Sequence, residues 1–115
     1  MTDSVYDLVQ KLGIYNTYHG YKYLACAIEL AMQDEDKLYG VTKHLYPEVA
    51  KRFNTTPARV ERNLRTVVSI CWDHGNRELL EKIAGFPLDS KPTTSQFIGI
   101  LVSYLLKHTP KPTPC

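Results

Sequence analysis

Charged and polar side chains gather on one side of a helix predicted to begin near residue 57. At about 100° per residue, that side collects Arg59, Glu61, Arg62, Arg65, Thr66 and Ser69. An arginine can donate two parallel hydrogen bonds to guanine O6 and N7, and a glutamate can accept one from cytosine N4. This side therefore has the chemistry needed to read base edges in duplex DNA. The plainer alternative is a solvated face on which Glu61 and Arg62 form a surface ion pair.

A shorter helix is predicted just before this one. Pro47 suits its first turn, where a missing N–H costs nothing. Val49, Ala50 and Phe53 follow helical spacing and are expected to face inward. Asn54 comes next, and asparagine tolerates the left-handed conformation that ends a helix.

The two helices and their junction favour a helix-turn-helix at about residues 47–72. Thr56 precedes a proline, which biases it away from helical backbone and makes it the expected N-cap of the second helix. Ala50 is small where two helices would approach closely, and Val60 points back at it from the second helix. The alternative is an ordinary helical hairpin. The second helix also has an apolar side for packing: Val60, Leu64, Val67, Val68 and Cys71.

Positive charge is concentrated on the same unit. Residues 43–65 hold six Lys/Arg and two Glu, a net charge of +4, whereas the whole chain carries +2 and the remainder therefore −2. Such a concentration is typical of a surface that contacts phosphates. The candidates for phosphate or accessory contacts are Lys43, Lys51, Arg52, Thr56, Arg59, Thr66 and Ser69.

The rest of the chain is also predicted to be helical. Apolar spacing indicates helices over about 5–12, 21–33, 77–84 and 93–108, with a possible helical turn at 41–45. No segment keeps the alternation of a strand. The sequence therefore predicts an all-α fold of about six helices around a central helix-turn-helix. We expect a single domain over residues 1–108 and a disordered Pro-rich tail at 109–115.

Several residues are expected to mark where these helices begin and end. Gly13 and Gly85 are the predicted stops of the first and fifth helices, and Asn76 is a predicted N-cap. Asp3 or Ser4 is expected to cap the first helix. Thr94 or Ser95 is expected to cap the last.

Other classes of function have no positive support in the sequence. There is no apolar run of about 18 residues and no signal peptide, so we expect a cytoplasmic protein without a membrane partner, associated with the nucleoid when bound to DNA. The four histidines lack zinc-ligand spacing, and no phosphate loop or nucleophile signature is present. We predict neither a metal, nor a cofactor, nor an enzymatic activity. Cys26 and Cys71 are expected to be reduced core residues, whereas Cys115 could form adventitious disulfides.

Three stretches carry a resemblance to a known family: GYKYLACAIELA, GVTKHLYPEVAKRFNTTPARVERNLRTVVSICWDHGN and KPTTSQFI. From about Val5 to His108 the chain resembles the DNA-binding effector domain of the stage-zero sporulation response regulator of endospore-forming bacteria. The resemblance implies a six-helix domain, unrelated to winged helices, whose third and fourth helices form the helix-turn-helix. It implies that Glu61, Arg62 and Arg65 read a box similar to TGTCGAA in the major groove. Arg59 and Lys51 would then be phosphate or accessory contacts.

The resemblance also implies protein partners. Family members bind adjacent boxes as tandem dimers and contact the sigma subunit of RNA polymerase, through a region that corresponds to Gly75–Leu88 here. The loop before Thr93 is slightly shorter than the family pattern, Ser69 stands where a longer polar or acidic side chain is expected, and Asn63 replaces a small apolar residue. These departures leave the exact box and the polymerase contact open.

Two further questions are left open by the sequence. The family's regulator carries a receiver domain to which nothing here corresponds, so the chain is either an excised domain or a free-standing paralogue, and its two ends favour the paralogue. The second function considered is an interaction module that pairs with a full-length regulator without binding DNA specifically. Retention of the charged face on residues 59–65 favours DNA binding.

Overall fold

The computed structural model describes residues 2–15 and 18–108, and over these residues the fold is helical throughout. In chain order the α-helices are α1 (Thr2–Lys11), α2 (Gly20–Gln33), α3 (Tyr46–Arg52), α4 (Pro57–His74), α5 (Arg77–Ala84) and α6 (Thr94–His108). The described part of the chain contains no strand. The predicted all-α fold with six α-helices is thus confirmed. The predictions for the tail, residues 109–115, and for Cys115 lie outside the described residues.

Helix α2 is the centre of the molecule. Its sequence is apolar on nearly every side, and it packs against α1, α4 and α6. Alanines at positions 25, 27 and 31 are almost fully buried, which lets neighbouring helices approach its axis closely. Helix α4, the candidate recognition helix, therefore packs directly against the central helix α2.

Two short irregular helical segments join α2 to α3. Glu35–Gly40 is 3₁₀ helix, and Val41–Leu45 forms a π-helical turn that runs directly into α3. The turn expected at 41–45 is thus present, and α3 begins at Tyr46 with Pro47 in its first turn, where its missing N–H costs no hydrogen bond.

The residues predicted to end α1, α3 and α5 are confirmed. Gly13, Asn54 and Gly85 all adopt the left-handed conformation, with φ of 93°, 53° and 86°. After α3, Thr55 N donates to Ala50 O at 2.9 Å and Asn54 N donates to Lys51 O at 3.4 Å, the pair of bonds of a Schellman motif. Asn54 therefore fixes the direction in which the chain leaves α3.

Three details of the sequence-based prediction were wrong. α1 begins at Thr2, so Asp3 and Ser4 lie within the helix rather than before it. α6 is capped by Thr93, which exchanges reciprocal hydrogen bonds with Gln96 in a capping box. Phe53 does not face the core: its side chain is 37% exposed. It lies at the end of α3, where the chain turns outward, and its ring makes an edge contact with Tyr23 at 5.2 Å between centroids.

Both described cysteines are buried and reduced, as expected. Burial raises the pKa of the Cys71 thiol to about 11. It is also the main cause of the raised pKa of the Cys26 thiol. Thiols that stay protonated near neutral pH are poor nucleophiles, so these residues contribute packing rather than chemistry. Over the described ranges, no helix combines the length and apolarity needed to cross a membrane.

The close packing of α3 against α4 can be tested by enlarging a side chain between them. Ala50 is 2% exposed, so Ala50→Leu would add three carbons to a packed site. Overpacking of this kind costs about 1–3 kcal/mol. We expect a lower midpoint in thermal unfolding followed by circular dichroism, and a proportionally larger loss of DNA binding than of helicity. Normal DNA affinity in a fully folded Ala50→Leu protein would contradict the close approach of α3 and α4 at this residue.

Candidate nucleic-acid interface

Helix α4 separates its apolar and charged residues onto opposite sides, as predicted. The buried side consists of Val60, Leu64, Val67, Val68 and Cys71. On the other side Arg59, Arg62, Arg65 and Thr66 are exposed, and Glu61 and Ser69 are half-buried. We call this second side, residues 59, 61, 62, 65, 66 and 69, the outer face of α4. The fold thus brings all three predicted base-reading residues onto one accessible surface.

The first turn of α4 is held by two local hydrogen bonds. Thr56 Oγ1 accepts from Arg59 N at 3.2 Å, which confirms Thr56 as the N-cap. Asn63 Nδ2 donates to Arg59 O at 2.8 Å. Both bonds are made to the backbone of Arg59, so they fix the first turn of the helix, from which Arg62 projects.

The arginines of the outer face differ in their partners. Arg65 Nη2 lies 3.4 Å from Glu61 Oε2, an i,i+4 ion pair on the helix surface. The alternative pairing of Glu61 with Arg62 is not formed. No ion pair involves Arg59 or Arg62 among the residues that the structure describes. Their guanidinium groups therefore keep their full charge and their donors available for a ligand.

Tyr46 lies beneath the Glu61–Arg65 pair. It lines a cleft together with Glu61, Arg65 and Lys91. Burial, and secondly the Glu61 carboxylate, raise the pKa of the Tyr46 phenol. The phenol stays neutral at physiological pH, so it adds no negative charge to the outer face.

The predicted phosphate contacts before α4 fall into two groups. Lys43 and Lys51 are exposed and form no ion pair within the described ranges. Arg52 lies 3.6 Å from Glu48, and Lys37 Nζ lies 3.0 Å from the same carboxylate. The hydrogen bond from Lys37 is the largest cause of the lowered pKa of Glu48. Glu48 is thus ionised at neutral pH and partly offsets the charge of Arg52.

The two hydroxyl residues of the outer face are engaged within the protein. Thr66 Oγ1 donates to Arg62 O at 3.0 Å, which uses its only proton. Ser69 Oγ accepts from Lys91 Nζ at 2.9 Å and keeps its own proton for another acceptor. Of the two, Ser69 is the better placed to donate to a phosphate.

Two residues that shape this region were not predicted from the sequence. Gly20, the first residue of α2, faces α4 so closely that an added Cβ would lie 2.6 Å from Asn63 O and 2.6 Å from Val67 Cγ1. Lys91, which is 22 residues after Ser69 in the chain, reaches the outer face of α4 from the loop between α5 and α6. Helical periodicity reports nothing about such contacts, and no local signal could have identified them.

A short helix, a tight turn and a longer helix with a basic outer face define this molecule as a helix-turn-helix protein. The chain belongs to the family described as "Sporulation initiation factor Spo0A C terminal", which matches residues 5–105. The resemblance found in the sequence is thereby confirmed. The family is one of DNA-binding transcription-factor domains of sporulation and not of enzymes, and its partner is DNA.

Proposed function

We propose that this chain is a sequence-specific transcription regulator that places α4 in the major groove of a box similar to TGTCGAA. The observation that carries the proposal is the outer face of α4. There Arg62 is exposed and free of any ion pair among the described residues, directly opposite a buried apolar stripe. Because the buried stripe packs α4 against the core, the charged outer face is preorganised to bind a rigid ligand such as a DNA duplex.

Each residue of the interface has a proposed role. Arg62 donates a bidentate pair to guanine, and Arg65 and Glu61 read a neighbouring guanine and cytosine. The surrounding phosphate or accessory contacts come from Lys43, Lys51, Arg52, Thr56, Arg59, Thr66 and Ser69. Such contacts set the register on the duplex, while the base contacts set the specificity.

Two protein partners are part of the same proposal. We propose tandem binding to adjacent boxes as a dimer and contact with the polymerase sigma subunit, on the basis of the resemblance to the family. Residues 75–88 expose Phe86, whose side chain is 55% accessible on the loop after α5. An exposed aromatic side chain of this size supports a protein contact there. The proposed location is the cytoplasm, at the nucleoid.

The direct test is a titration of the protein against a duplex containing the box and against a scrambled duplex of equal length. Preference for the box supports the proposal. Equal and weak affinity for both duplexes would contradict base reading and favour an interaction module that tunes a full-length regulator.

A second prediction concerns the basic residues around the outer face and the salt dependence of DNA binding. Lys51→Ala should weaken box and scrambled duplexes by about the same factor, because phosphates carry no sequence information. The slope of log affinity against log salt should become shallower by about 0.9, the value for one phosphate contact. Fluorescence anisotropy at four or five salt concentrations measures both quantities.

Lys107→Ala is the matched control for this variant, since Lys107 is exposed in the last turn of α6. It should leave the salt slope unchanged. A salt slope in Lys51→Ala equal to that of the parent would show that Lys51 makes no phosphate contact.

A further inference from the structure

The loop between α5 and α6 places a lysine beside the outer face of α4. Lys91 Nζ donates to Ser69 Oγ at 2.9 Å. Ser69 lies four residues, or about one helical turn, beyond Arg65. The Lys91 ammonium is therefore next to the row of side chains proposed to meet DNA, although it comes from a different part of the chain.

This loop is anchored on both sides of Lys91. Leu88 N donates to Glu81 Oε2 at 2.7 Å, and Gly85 ends α5 in the left-handed conformation. Beyond Lys91, Pro92 is buried and Thr93 closes the capping box of α6. The backbone at Lys91 is therefore already ordered in the folded protein. A ligand that binds Lys91 does not have to offset the conformational entropy of ordering this segment.

The charge of Lys91 is not neutralised within the described part of the protein. Its partner, Ser69, is a neutral hydroxyl, and the ion pairs among the described residues do not include Lys91. An ammonium that gives one hydrogen bond to a serine keeps two N–H donors and its full charge. Lys91 also lines the cleft that contains Arg65 and Glu61. A fixed, uncompensated cation at the edge of a base-reading surface has the properties of a phosphate contact.

We propose that Lys91 is a further DNA-contacting residue, bound to a backbone phosphate and held in position by Ser69. The inference rests on the proposed function and extends it. The interface then includes the loop before α6 as well as the helix-turn-helix, and the short side chain of Ser69 is what admits the lysine to the outer face.

The test compares Lys91→Gln with the parent, each titrated against box and scrambled duplexes over a range of salt concentrations. Glutamine keeps the length and a donor for Ser69 but removes the charge. We expect affinity at 0.1 M salt to fall by about three- to eightfold for both duplexes, with a salt slope shallower by about 0.9. Lys91→Arg should restore most of that slope, because it restores the charge.

Lys107→Gln is the control for a general change in net charge. Lys107 lies in the last turn of α6, about 20 Å along that helix from its first turn, and it is not among the residues proposed to contact DNA. It should therefore leave both slope and affinity near the parent's values. Circular dichroism melts show whether each variant is folded at the temperature of the titration.

The outcomes separate this inference from the proposed function. If the parent prefers the box but Lys91→Gln keeps its affinity and slope, Lys91 only docks the loop and the inference is wrong while the proposed function stands. If Lys91→Arg instead loses as much affinity as Lys91→Gln and shows the same salt slope as that variant, the lysine acts through the structure of the loop rather than through its charge. In that case the inference is again wrong. If the parent shows no affinity for either duplex, the proposed function fails and takes this inference with it.

Discussion

Replacing Arg62 by alanine is expected to reduce the ratio of box to scrambled-duplex affinity by about tenfold to a hundredfold. A bidentate arginine–guanine contact contributes about 1–3 kcal/mol of discrimination. Arg62 forms no ion pair within the residues described, so its loss releases no carboxylate to repel DNA. The variant should retain a weak, salt-sensitive affinity through the remaining basic residues. Paired titrations of box and scrambled duplexes measure the ratio.

Arg62→Lys separates charge from geometry in this experiment. An ammonium restores the positive charge but lacks the planar fork, so affinity should recover more than specificity does. Both variants should melt at the parent's temperature, since the buried side of α4 is untouched. A ratio in Arg62→Ala equal to the parent's would mean that this residue does not read a base, and would favour the interaction-module alternative.

Gly20→Ala is expected to destabilise the protein by about 3 kcal/mol. The new Cβ would lie 2.6 Å from the carbonyl oxygen of Asn63, and a backbone atom cannot rotate away. α2 and α4 must therefore separate. Because Asn63 follows Arg62 directly, the shift would also displace the side chain proposed to read a base. Box affinity should fall by roughly tenfold, comparable to the loss of one base contact.

Gly99→Ala is the matched control for this variant. Gly99 also lies in a helix, but a Cβ there meets nothing within 4 Å. Alanine is favoured over glycine inside helices, so this change should stabilise the protein by about 0.5–1 kcal/mol. Denaturant unfolding of the two variants measures the contrast. A Gly20→Ala protein as stable as Gly99→Ala would show that α2 and α4 are not in close contact at this glycine.

Sequence reasoning worked best where structure is decided locally. The left-handed Asn54 and the Thr56 cap depend on the conformational preferences of single residues and their nearest neighbours. The two sides of α4 follow from helical periodicity alone. Phe53 was placed wrongly because helical spacing was extended one residue past the last turn of α3, where the chain already leaves the helix.

What the sequence did not reveal depends on contacts between distant segments. The approach of Gly20 to α4 and the bond from Lys91 to Ser69 require knowledge of which helices are neighbours and how a loop crosses between them. The contacts of Gly20 and Lys91 are tertiary properties, and periodicity carries no information about them. The partner of Glu61, in contrast, could have been predicted, because residues four apart on a helix are neighbours whereas adjacent residues do not face each other.

On the proposed interface, the Glu61–Arg65 ion pair would have a kinetic consequence for the search for a box. While the pair is closed, 3.4 Å apart, the two side chains neutralise each other and add little to the attraction for arbitrary DNA. On the proposed interface the pair opens only where a guanine can receive Arg65 and a cytosine amino group can meet Glu61. Elsewhere an opened pair would leave a carboxylate facing phosphates, which repels and shortens the residence time. The same two residues would thus hasten departure from wrong sequences and delay it at the right one, so that selectivity is expressed mainly in the rate of dissociation.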